Sequence, residues 1–274
     1  MPRNFWKMHG LGNDFVIIDG RADDFVPDED FCLRVADRHR GVGFDQIIIL
    51  GKPKDPSADL YMSMFNADAS IVKACGNATR CVARLLFEET GKTSGVIQTI
   101  SGLLKVWKEA EGIYAVDFGE PRLKWDEIPL AKECDTLSVD LGIQGVPPAC
   151  CASVGNPHAV HFVPDAAAVA LSEVGPKLEH HPIFPDRCNI EFAHIIDRQN
   201  IRMRVWERGT GITQACGSGA LATGIAAIRR GLTDRKITIH LDGGDLGVEW
   251  READNHVILS GSTALSFRGT LLEI

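Results

Sequence analysis

The sequence predicts an α/β (α+β) fold made of two similar domains. Most of the chain consists of short strand-like runs bounded by Gly, Asp or Pro, and helical patterns are few. Two helical patterns begin alike, with a cysteine followed by glycine, in KACGNATRCVARLL and QACGSGALATGIAAI. Polar residues ahead of each cysteine recur in the same order, which indicates an internal duplication.

The first half of the chain is predicted to be mainly strands with two helices. The strand-like runs are residues 14–19, 45–50, 60–65, 95–100, 103–108 and 112–118. The segment DEDFCLRVADRHRG has acidic residues at its start and basic residues before its final glycine, as the helix dipole favours. A second helix is predicted from about Gly76 to Glu89, ending at Gly91. The periodicity then breaks near residue 120, which predicts a domain boundary there.

The second half repeats this pattern. Its strand-like runs are residues 159–163, 189–196 and 201–206, and the runs KITIHL, LGVEW and HVILSG close the chain. A helix is predicted from about Gly217 to Arg230, ended by Gly231. The apolar residues at helical spacing are Leu221, Ile225, Ile228 and Leu232.

The offsets between the halves are nearly constant. Asn13 and Asn156 are 143 residues apart, as are Gln46 and Asn189. Asn66 and Glu207 are 141 apart, as are Cys75 and Cys216. A single Gly-Asn match would mean little, because such pairs are common in turns. Four ordered matches predict two copies of one α/β unit, each carrying one helix-head cysteine.

Composition limits the classes of function. The 274-residue chain is 45% hydrophobic and has a formal net charge of −8, so neither nucleic acid nor a membrane surface is an expected partner. No apolar run approaches the roughly 20 residues of a spanning helix. The segment MPRNFWKMHG lacks the features of a signal peptide, so a cytoplasmic location is expected.

The remaining motifs favour neither a metal nor a cofactor. No C-x-x-C pair, dinucleotide-binding G-x-G-x-x-G, P-loop or H-E-x-x-H occurs. The pair His180-His181 is interpreted as a solvated helix end. The cysteines expected to be small buried side chains are Cys32, Cys134, Cys150, Cys151 and Cys188.

A cysteine at the head of a helix is suited to acid–base chemistry. The first helical turn has unpaired N–H groups and the positive end of the helix dipole, which bind anions and lower the pKa of a thiol. Two such heads could hold one carboxylate and place a sulfur on each side of its α-carbon. One sulfur would then remove the α-proton and the other would return one to the opposite face, which inverts the centre.

The chain resembles the diaminopimelate epimerase family over nearly its whole length. The matching segments are KMHGLGNDFVIID, GVGFDQ, FNAD, ACGNATRC, GNPHAV, CNIEF, WERGTGIT and ACGSGA, in the order of the family. The resemblance implies two pseudo-symmetric domains, each a curved, mostly antiparallel sheet around a central helix, with the site between them. It places the N-terminal domain at residues 1–119, the C-terminal domain at 120–264, and a returning strand of the first domain at 265–274. No cofactor and no metal are used, and a homodimer is implied.

The resemblance also implies roles for individual residues. Cys75 and Cys216 are the acid–base pair, and His158 and Glu207 tune their pKa values. The backbone N–H groups that hold the reacting carboxylate belong to Gly76, Asn77, Gly217 and Ser218. The residues around the rest of the substrate are Asn13, Gln46, Asn66, Asn156, Asn189, Glu207 and Arg208, of which Arg208 would pair with the distal carboxylate.

Three departures from the family pattern affect backbone geometry. Ala69 and Ala78 occupy positions where the family usually has glycine, and SGSTA stands where a Gly-Pro is usual. An alanine at a positive φ would be strained.

Three functions are therefore weighed. The first is interconversion of LL- and meso-2,6-diaminoheptanedioate, for lysine and peptidoglycan precursors. The second keeps the chemistry but takes another amino acid, such as proline or histidine. The third is a binding protein without catalysis, which would not require both cysteines.

Overall fold

The computed structural model describes residues 2–73 and 75–272. These fall into two compact units. Unit 1 comprises the chain up to Val116 together with the segment from Ser260, and unit 2 is Asp117–Leu259. The chain thus leaves unit 1 three residues before the predicted boundary and re-enters it five residues before the predicted return. Residues 273 and 274 of the predicted returning strand lie outside the described residues.

The described residues contain sixteen strands and four helices. The strands are β1 (Arg3–Gly10), β2 (Asn13–Asp19), β3 (Gln46–Gly51), β4 (Leu60–Phe65), β5 (Ser94–Thr99), β6 (Gly102–Ala110), β7 (Ile113–Asp117), β8 (Ala149–Ser153), β9 (Pro157–Phe162), β10 (Asn189–Ile195), β11 (Asn200–Glu207), β12 (Gly211–Thr213), β13 (Lys236–Leu241), β14 (Gly244–Trp250), β15 (Val257–Ser262) and β16 (Ala264–Leu271). The helices are α1 (Glu29–Ala36), α2 (Gly76–Thr90), α3 (Leu171–Glu179) and α4 (Gly217–Arg229).

Helix α2 is buried against the sheet of unit 1. The strand order of this sheet is β16-β1-β2-β3-β4-β5-β6-β7, in which β2–β3 and β4–β5 are parallel. The other registered pairs are antiparallel, and β16 pairs with β1 from Leu271 opposite Arg3. Helix α2 packs against β1, β5 and β6, and nearly all of its first twelve residues are buried. The helix ends at Gly91, whose φ of 72° is left-handed, as glycine allows.

The sheet of unit 2 repeats this arrangement around α4. Its strand order is β15-β14-β13-β11-β10-β9-β8, with β12 paired to β11. Helix α4 contacts β8, β9, β10, β11, β13 and β14 and is buried over Gly219–Ala227. Leu232 is not part of the helical face, because the chain turns at Gly231 with φ 68° and leaves this side chain 37% exposed.

The duplication is visible in the order of strands before each helix. Each unit has a parallel pair followed by an antiparallel strand: β2, β3 and β4 in one, and β9, β10 and β11 in the other. The helix α2 or α4 follows. The mixed α and β content, mostly sheet with few helices, confirms the fold class that the sequence predicts.

Helix α3 was not predicted from the sequence. It contains Gly175 and Pro176, residues that lower helix propensity, and Gly175 lies against the ring of Trp206, where a Cβ would be 2.6 Å from ring carbons. His180 is the C-cap of this helix, as the helix-end interpretation of the histidine pair expected. No helix in the described part of the chain is long and apolar enough to cross a membrane.

Candidate active site

Cys75 caps the N-terminus of α2. Its backbone is extended, with φ −151°, and its carbonyl accepts hydrogen bonds from the N–H and hydroxyl of Thr79, at 3.0 and 2.9 Å. Gly76 and Asn77 form the first turn, where backbone N–H groups have no partner within a helix. This end of α2 is therefore suited to an anion.

Asn13 links the start of β2 to this helix end. Its Oδ1 accepts hydrogen bonds from Cys75 Sγ at 3.6 Å and from Asn77 Nδ2 at 3.2 Å. Its Nδ2 donates to Asp45 Oδ2 at 2.9 Å and to Gln46 Oε1 at 3.3 Å. The two acceptors hold the amide so that its oxygen faces Cys75.

Charged residues fix Asp45 and the strand that carries Asn13. Arg38 binds both Asp45, at 2.9 Å, and Asp14, at 2.8 Å, and the buried Lys7 also pairs with Asp14. Burial raises the pKa of Asp14, but Arg38 and Lys7 outweigh it and hold that pKa well below its usual range. The sequence analysis did not identify Asp45 as a support of Asn13.

Asn66 lies in a turn directly after β4. Its backbone N–H donates to the carbonyl of Ser70 at 2.9 Å, and its Nδ2 donates to Ser70 Oγ at 3.0 Å. Ala69 lies in the same turn with φ 57°, the left-handed conformation expected of a position that usually holds glycine. Ala78 differs, because it lies inside α2 and is fully buried.

Arg80 is a buried charge on α2. Its side chain is 0% exposed, Nη2 donates to Asn77 Oδ1 at 2.9 Å, and Nε and Nη1 have no hydrogen-bond partner among the described residues. Burial lowers the pKa of Arg80 to about 10. The guanidinium adds positive potential beside Cys75, a feature that sequence analysis missed although Arg80 lies in the motif ACGNATRC.

Cys216 caps α4 in the corresponding position of unit 2. Its backbone is extended, with φ −121°, and Sγ accepts a hydrogen bond from the N–H of Gly219 at 3.4 Å. Ser218 Oγ lies 3.5 Å from the sulfur. A Cβ at position 219 would lie 2.8 Å from Glu191 Oε1 and 3.3 Å from Cys216 Sγ, so this turn requires glycine.

The thiol of Cys216 favours its protonated form in this structure. Burial raises its pKa well above the usual value, and the charges of Glu207 and Glu191 raise it further. Hydrogen bonds from Ser218 and Gly219 oppose this increase but are weaker. The expectation that the helix end alone would favour a thiolate is therefore wrong for Cys216, because burial beside two acids outweighs the helix field.

A fully buried pair, His158 and Glu191, lies behind Cys216. His158 Nδ1 is 2.7 Å from Glu191 Oε1, and His158 Nε2 is 3.0 Å from Asn156 Oδ1. Asn156 Nδ2 donates to Ser218 Oγ at 3.3 Å. Glu191 was missed by the sequence analysis, although it occupies the segment CNIEF that was matched to the family.

The remaining predicted residues of unit 2 form a second group. Asn189 is 4% exposed, its Nδ2 donates to the carbonyl of Pro157 at 3.0 Å, and its Oδ1 accepts from the backbone N–H of Arg208 at 3.0 Å. Arg208 itself is exposed, and its Nη1 donates to the carbonyl of Asp186 at 3.0 Å. Thr213 donates to Glu207. Asn189 therefore fixes the backbone that carries Arg208.

Glu179 supports the loop that carries Glu207 and Arg208. Its two carboxylate oxygens accept hydrogen bonds from Trp206 Nε1 at 2.7 Å and from the N–H of Gly209 at 2.8 Å. It is 3% exposed and comes from α3, a helix absent from the sequence prediction. A buried acid at the end of an unpredicted helix gives no recognisable motif.

The predicted residues thus fall into two groups, one in each unit. Unit 1 holds Asn13, Gln46, Asn66, Cys75, Gly76 and Asn77; unit 2 holds Asn156, His158, Asn189, Glu207, Arg208, Cys216, Gly217 and Ser218. Of the cysteines expected to be buried and inert, Cys134 alone is half-buried.

A cluster with metal-ligand atoms contains none of the predicted site residues. In residues 2–73 and 75–272, Asp117, Asp254 and His256 place such atoms within 4.8 Å of one another. Arg251 Nη2 already binds both carboxylates, at 2.7 and 2.6 Å. Because the guanidinium neutralises them, this cluster is an ion-pair network rather than a metal centre.

The sequence matches a known family model and close relatives. The model of the diaminopimelate epimerase family matches residues 5–124 and 150–265. A diaminopimelate epimerase of Rhodospirillum centenum is 52% identical over 273 residues, which cover 100% of this chain and 94% of that protein.

Solved structures share the fold at much lower identity. A phenazine biosynthesis protein of the PhzF family from Bacillus anthracis superposes with a TM-score of 0.70 at 16% identity, with 100% of both chains covered. A hydroxyproline epimerase from Agrobacterium vitis superposes with a TM-score of 0.69 at 14% identity, covering 98% of this chain and 91% of that chain. At these identities the likeness extends to the fold alone.

Proposed function

Because the chain belongs to the diaminopimelate epimerase family, we propose that it interconverts LL- and meso-2,6-diaminoheptanedioate by two-base proton transfer without a cofactor. The reaction serves lysine and peptidoglycan precursor synthesis. The full-length similarity to relatives of that name supports this substrate.

The observation that carries the proposal is the pair of cysteine-capped helices. Cys75 and Cys216 occupy the same position in two duplicated units, each at an N-terminus whose N–H groups face outward from the helix. A protein that only bound an amino acid would need the helix ends but not two sulfurs.

The proton balance of the reaction follows from the two sulfurs. One thiolate removes the α-proton and becomes a thiol, and the electron pair of the C–H bond is delocalised into the α-carboxylate. The N–H groups of Gly76, Asn77, Gly217 and Ser218 stabilise the charge that develops there. The other thiol then gives its proton to the opposite face and becomes the thiolate, so the reverse reaction exchanges the roles.

In one direction of the reaction, Cys216 starts as the thiol, and the groups around it favour that protonated form. Burial and the acids Glu207 and Glu191 raise the pKa of Cys216, which keeps its proton available for the carbanion. When Cys216 loses that proton, the hydroxyl of Ser218 and the N–H of Gly219 can donate hydrogen bonds to the sulfur. We propose that His158 and Glu207 adjust this balance.

Polar residues recognise the distal end of the substrate in this proposal. Arg208 pairs with the second carboxylate, and Glu207 receives an ammonium group. The amides in contact with the remaining polar atoms are Asn13, Gln46, Asn66 and Asn156. Asn189 acts differently, because its amide is bound to backbone groups and orients Arg208.

The main alternative is a racemase of the same fold that acts on another amino acid, such as proline or histidine. Such a substrate has no second carboxylate and leaves Arg208 without a role. The third candidate is a binding protein without catalysis. Its affinity for an amino acid would be retained when either cysteine is replaced.

We further propose that the protein acts in the cytoplasm as a homodimer. The chemistry needs both cysteines reduced, a state that the cytoplasm maintains. The family resemblance supports the dimer, which light scattering after gel filtration tests.

A substrate panel tests the proposed function. Purified protein is incubated with LL-diaminoheptanedioate, L-proline, trans-4-hydroxy-L-proline and L-histidine, and the stereoisomers are resolved by chiral chromatography. The proposal expects meso product from the first substrate alone. Inversion of a monocarboxylate at a higher kcat/KM would replace it with the alternative.

A further inference from the structure

Apart from the effect of its charge on the pKa of Cys216, the buried acid Glu191 has no role in the proposed reaction. Both Glu191 and its partner His158 are 0% exposed, and they lie on the neighbouring parallel strands β10 and β9. Glu191 Oε1 contacts His158 Nδ1 at 2.7 Å, whereas its Oε2 has no hydrogen-bond partner among the described residues. Burial of an ionised carboxylate with one oxygen that accepts no hydrogen bond costs free energy. The protonation state of Glu191 is therefore important for this site.

An unbroken series of hydrogen bonds leads from this pair to the catalytic sulfur. It passes from His158 Nε2 to Asn156 Oδ1 at 3.0 Å and from Asn156 Nδ2 to Ser218 Oγ at 3.3 Å. It ends between Ser218 Oγ and Cys216 Sγ at 3.5 Å. Because the serine oxygen accepts from Asn156, its own proton is available to the sulfur.

The direction of this series fixes the number of protons on the buried pair. Asn156 Oδ1 is an acceptor, so His158 Nε2 must carry a proton. A second proton must lie between Nδ1 and Glu191 Oε1, on either atom. Whether the pair is imidazolium with carboxylate or imidazole with carboxylic acid, it holds two protons and has no net charge.

Removal of one proton would reverse the series. The ionised Glu191 would retain the proton on His158 Nδ1, and the bare Nε2 would then need a donor. Asn156 would turn its amide so that Nδ2 faces the histidine and Oδ1 faces Ser218. Ser218 would donate to that oxygen, and the sulfur would lose the hydroxyl as a donor.

We propose that Glu191 is a positioning residue for the proton transfer at Cys216, which it influences through His158, Asn156 and Ser218 by keeping the series directed toward the sulfur. The inference rests on the proposed role of Cys216. A Glu191 carboxylate without its partner would raise the pKa of Cys216 by its charge. In the pair with two protons that charge is neutralised, and the remaining influence of Glu191 is the series of hydrogen bonds that supports the thiolate formed when Cys216 gives up its proton.

Several titratable groups surround the pair and enter any measurement of pH dependence. Those that interact with Glu191 are His158 on β9, Cys151 on β8, Cys188 before β10, Glu207 on β11 and Cys216 at the head of α4. None of them is replaced in the experiments below, except that His158→Gln serves to identify NMR signals.

The first experiment measures the protons on His158 in the native protein. With ¹⁵N-labelled histidine, NMR at pH 7 reports the protonation of each ring nitrogen, and the signals of His158 are identified by their absence in His158→Gln. We expect Nε2 to carry a proton. A neutral ring with its proton on Nδ1 alone would overturn the inference.

The second experiment follows the titration of Cys216 by the ¹³Cβ resonance of labelled cysteine, which requires no turnover. In Glu191→Leu, Nδ1 of His158 loses its partner, so neither the ring orientation nor the proton on Nε2 is held in place. The midpoint should then rise by about one pH unit, the effect of losing a hydrogen bond to a charged sulfur. Glu191→Gln should lie nearer the wild type, because its amide can donate to Nδ1 and leave the proton on Nε2. His161→Gln removes a buried imidazole of β9 outside the series and should leave the midpoint unchanged.

Ser218→Ala distinguishes the series from a direct effect of charge. In this background, Glu191→Leu should leave the midpoint of Cys216 unchanged, because the last link is already broken. An equal rise in both backgrounds, no rise in either, or a fall would overturn the inference; a fall would mean that the pair is anionic and acts through space. If Glu191→Leu does not fold, the ¹⁵N measurement on the native protein, which needs no substitution of Glu191, decides the inference. Because neither experiment measures epimerisation, failure of the substrate panel is distinguishable from failure here.

Discussion

Glycine substitutions at Ala69 and Ala78 should have different effects on stability. Ala69 has a left-handed φ of 57°, the conformation that favours glycine, whereas Ala78 lies inside α2 and is fully buried. Ala69→Gly should therefore be neutral or slightly stabilising, and Ala78→Gly should destabilise.

The magnitudes follow from the local structure. Relief of the left-handed conformation at Ala69 contributes about 1–2 kcal/mol. The greater freedom of glycine in the unfolded chain offsets about 0.4–1 kcal/mol of this, and loss of a half-buried methyl offsets about 0.4 kcal/mol. At Ala78, the lower helix propensity of glycine costs about 1 kcal/mol and loss of the buried methyl group costs about 0.8 kcal/mol, so both effects destabilise the variant. The two variants should therefore differ by about 2 kcal/mol.

Thermal unfolding followed by circular dichroism measures this difference. For a chain of this size, Ala78→Gly should lower the Tm by about 4–8 °C, and Ala69→Gly should leave it unchanged or raise it by up to about 4 °C. Each variant is the control for the other, because the chemical change is identical. Equal losses of stability, or a larger loss for Ala69→Gly, would refute the reasoning from backbone conformation.

Three further variants test parts of the site. Arg208→Met should raise the KM for diaminoheptanedioate at least tenfold in steady-state assays, since a charge that loses its partner typically costs about 2–5 kcal/mol; an unchanged KM would remove the distal-carboxylate role. Asp45→Asn should lower kcat, because the amide of Asn13 loses the charged acceptor that orients it toward Cys75; wild-type kcat would mean that Gln46 alone suffices. The depressed pKa of Asp14 contributes stability that is present above its unfolded value near 4 and is lost as the pH falls. Asp14→Asn should therefore be less stable at pH 7 in urea denaturation and lose less stability than the wild type between pH 5 and pH 3; parallel losses would contradict the ion-pair account.

The sequence predicted the elements whose signals are local. Strands of alternating or continuous apolar residues, the helices after Cys75 and Cys216, and the glycines that end them all match the structure to within a few residues. The duplication could be recognised in the sequence because polar residues at strand starts and helix caps keep their spacing when the fold is repeated. Helix α3 could not be recognised, because Gly175 and Pro176 lower helix propensity and the contact of Gly175 with Trp206 joins segments distant in the sequence.

The supporting residues of the site required the structure. Glu191, Arg80 and Glu179 lie on elements whose other residues form the core, so their spacing resembles that of ordinary strand and helix positions. Their importance arises from burial beside a cysteine or a loop, which depends on contacts between distant segments. The pKa of Cys216 is a similar case, since a helix cap predicts a lowered value, whereas burial of the thiol and the charges of Glu207 and Glu191 raise it.

The central claim is that both helix-head cysteines transfer protons, and isotope incorporation from solvent tests it most directly. LL-diaminoheptanedioate is incubated in D₂O with wild-type protein, Cys75→Ala, Cys216→Ala and the control Cys134→Ala, and the products are analysed by NMR and mass spectrometry. The account predicts meso product with one solvent deuterium at the inverted α-carbon for the wild type and Cys134→Ala, and no epimerisation by either helix-head variant. Near wild-type epimerisation by Cys75→Ala or Cys216→Ala would contradict it.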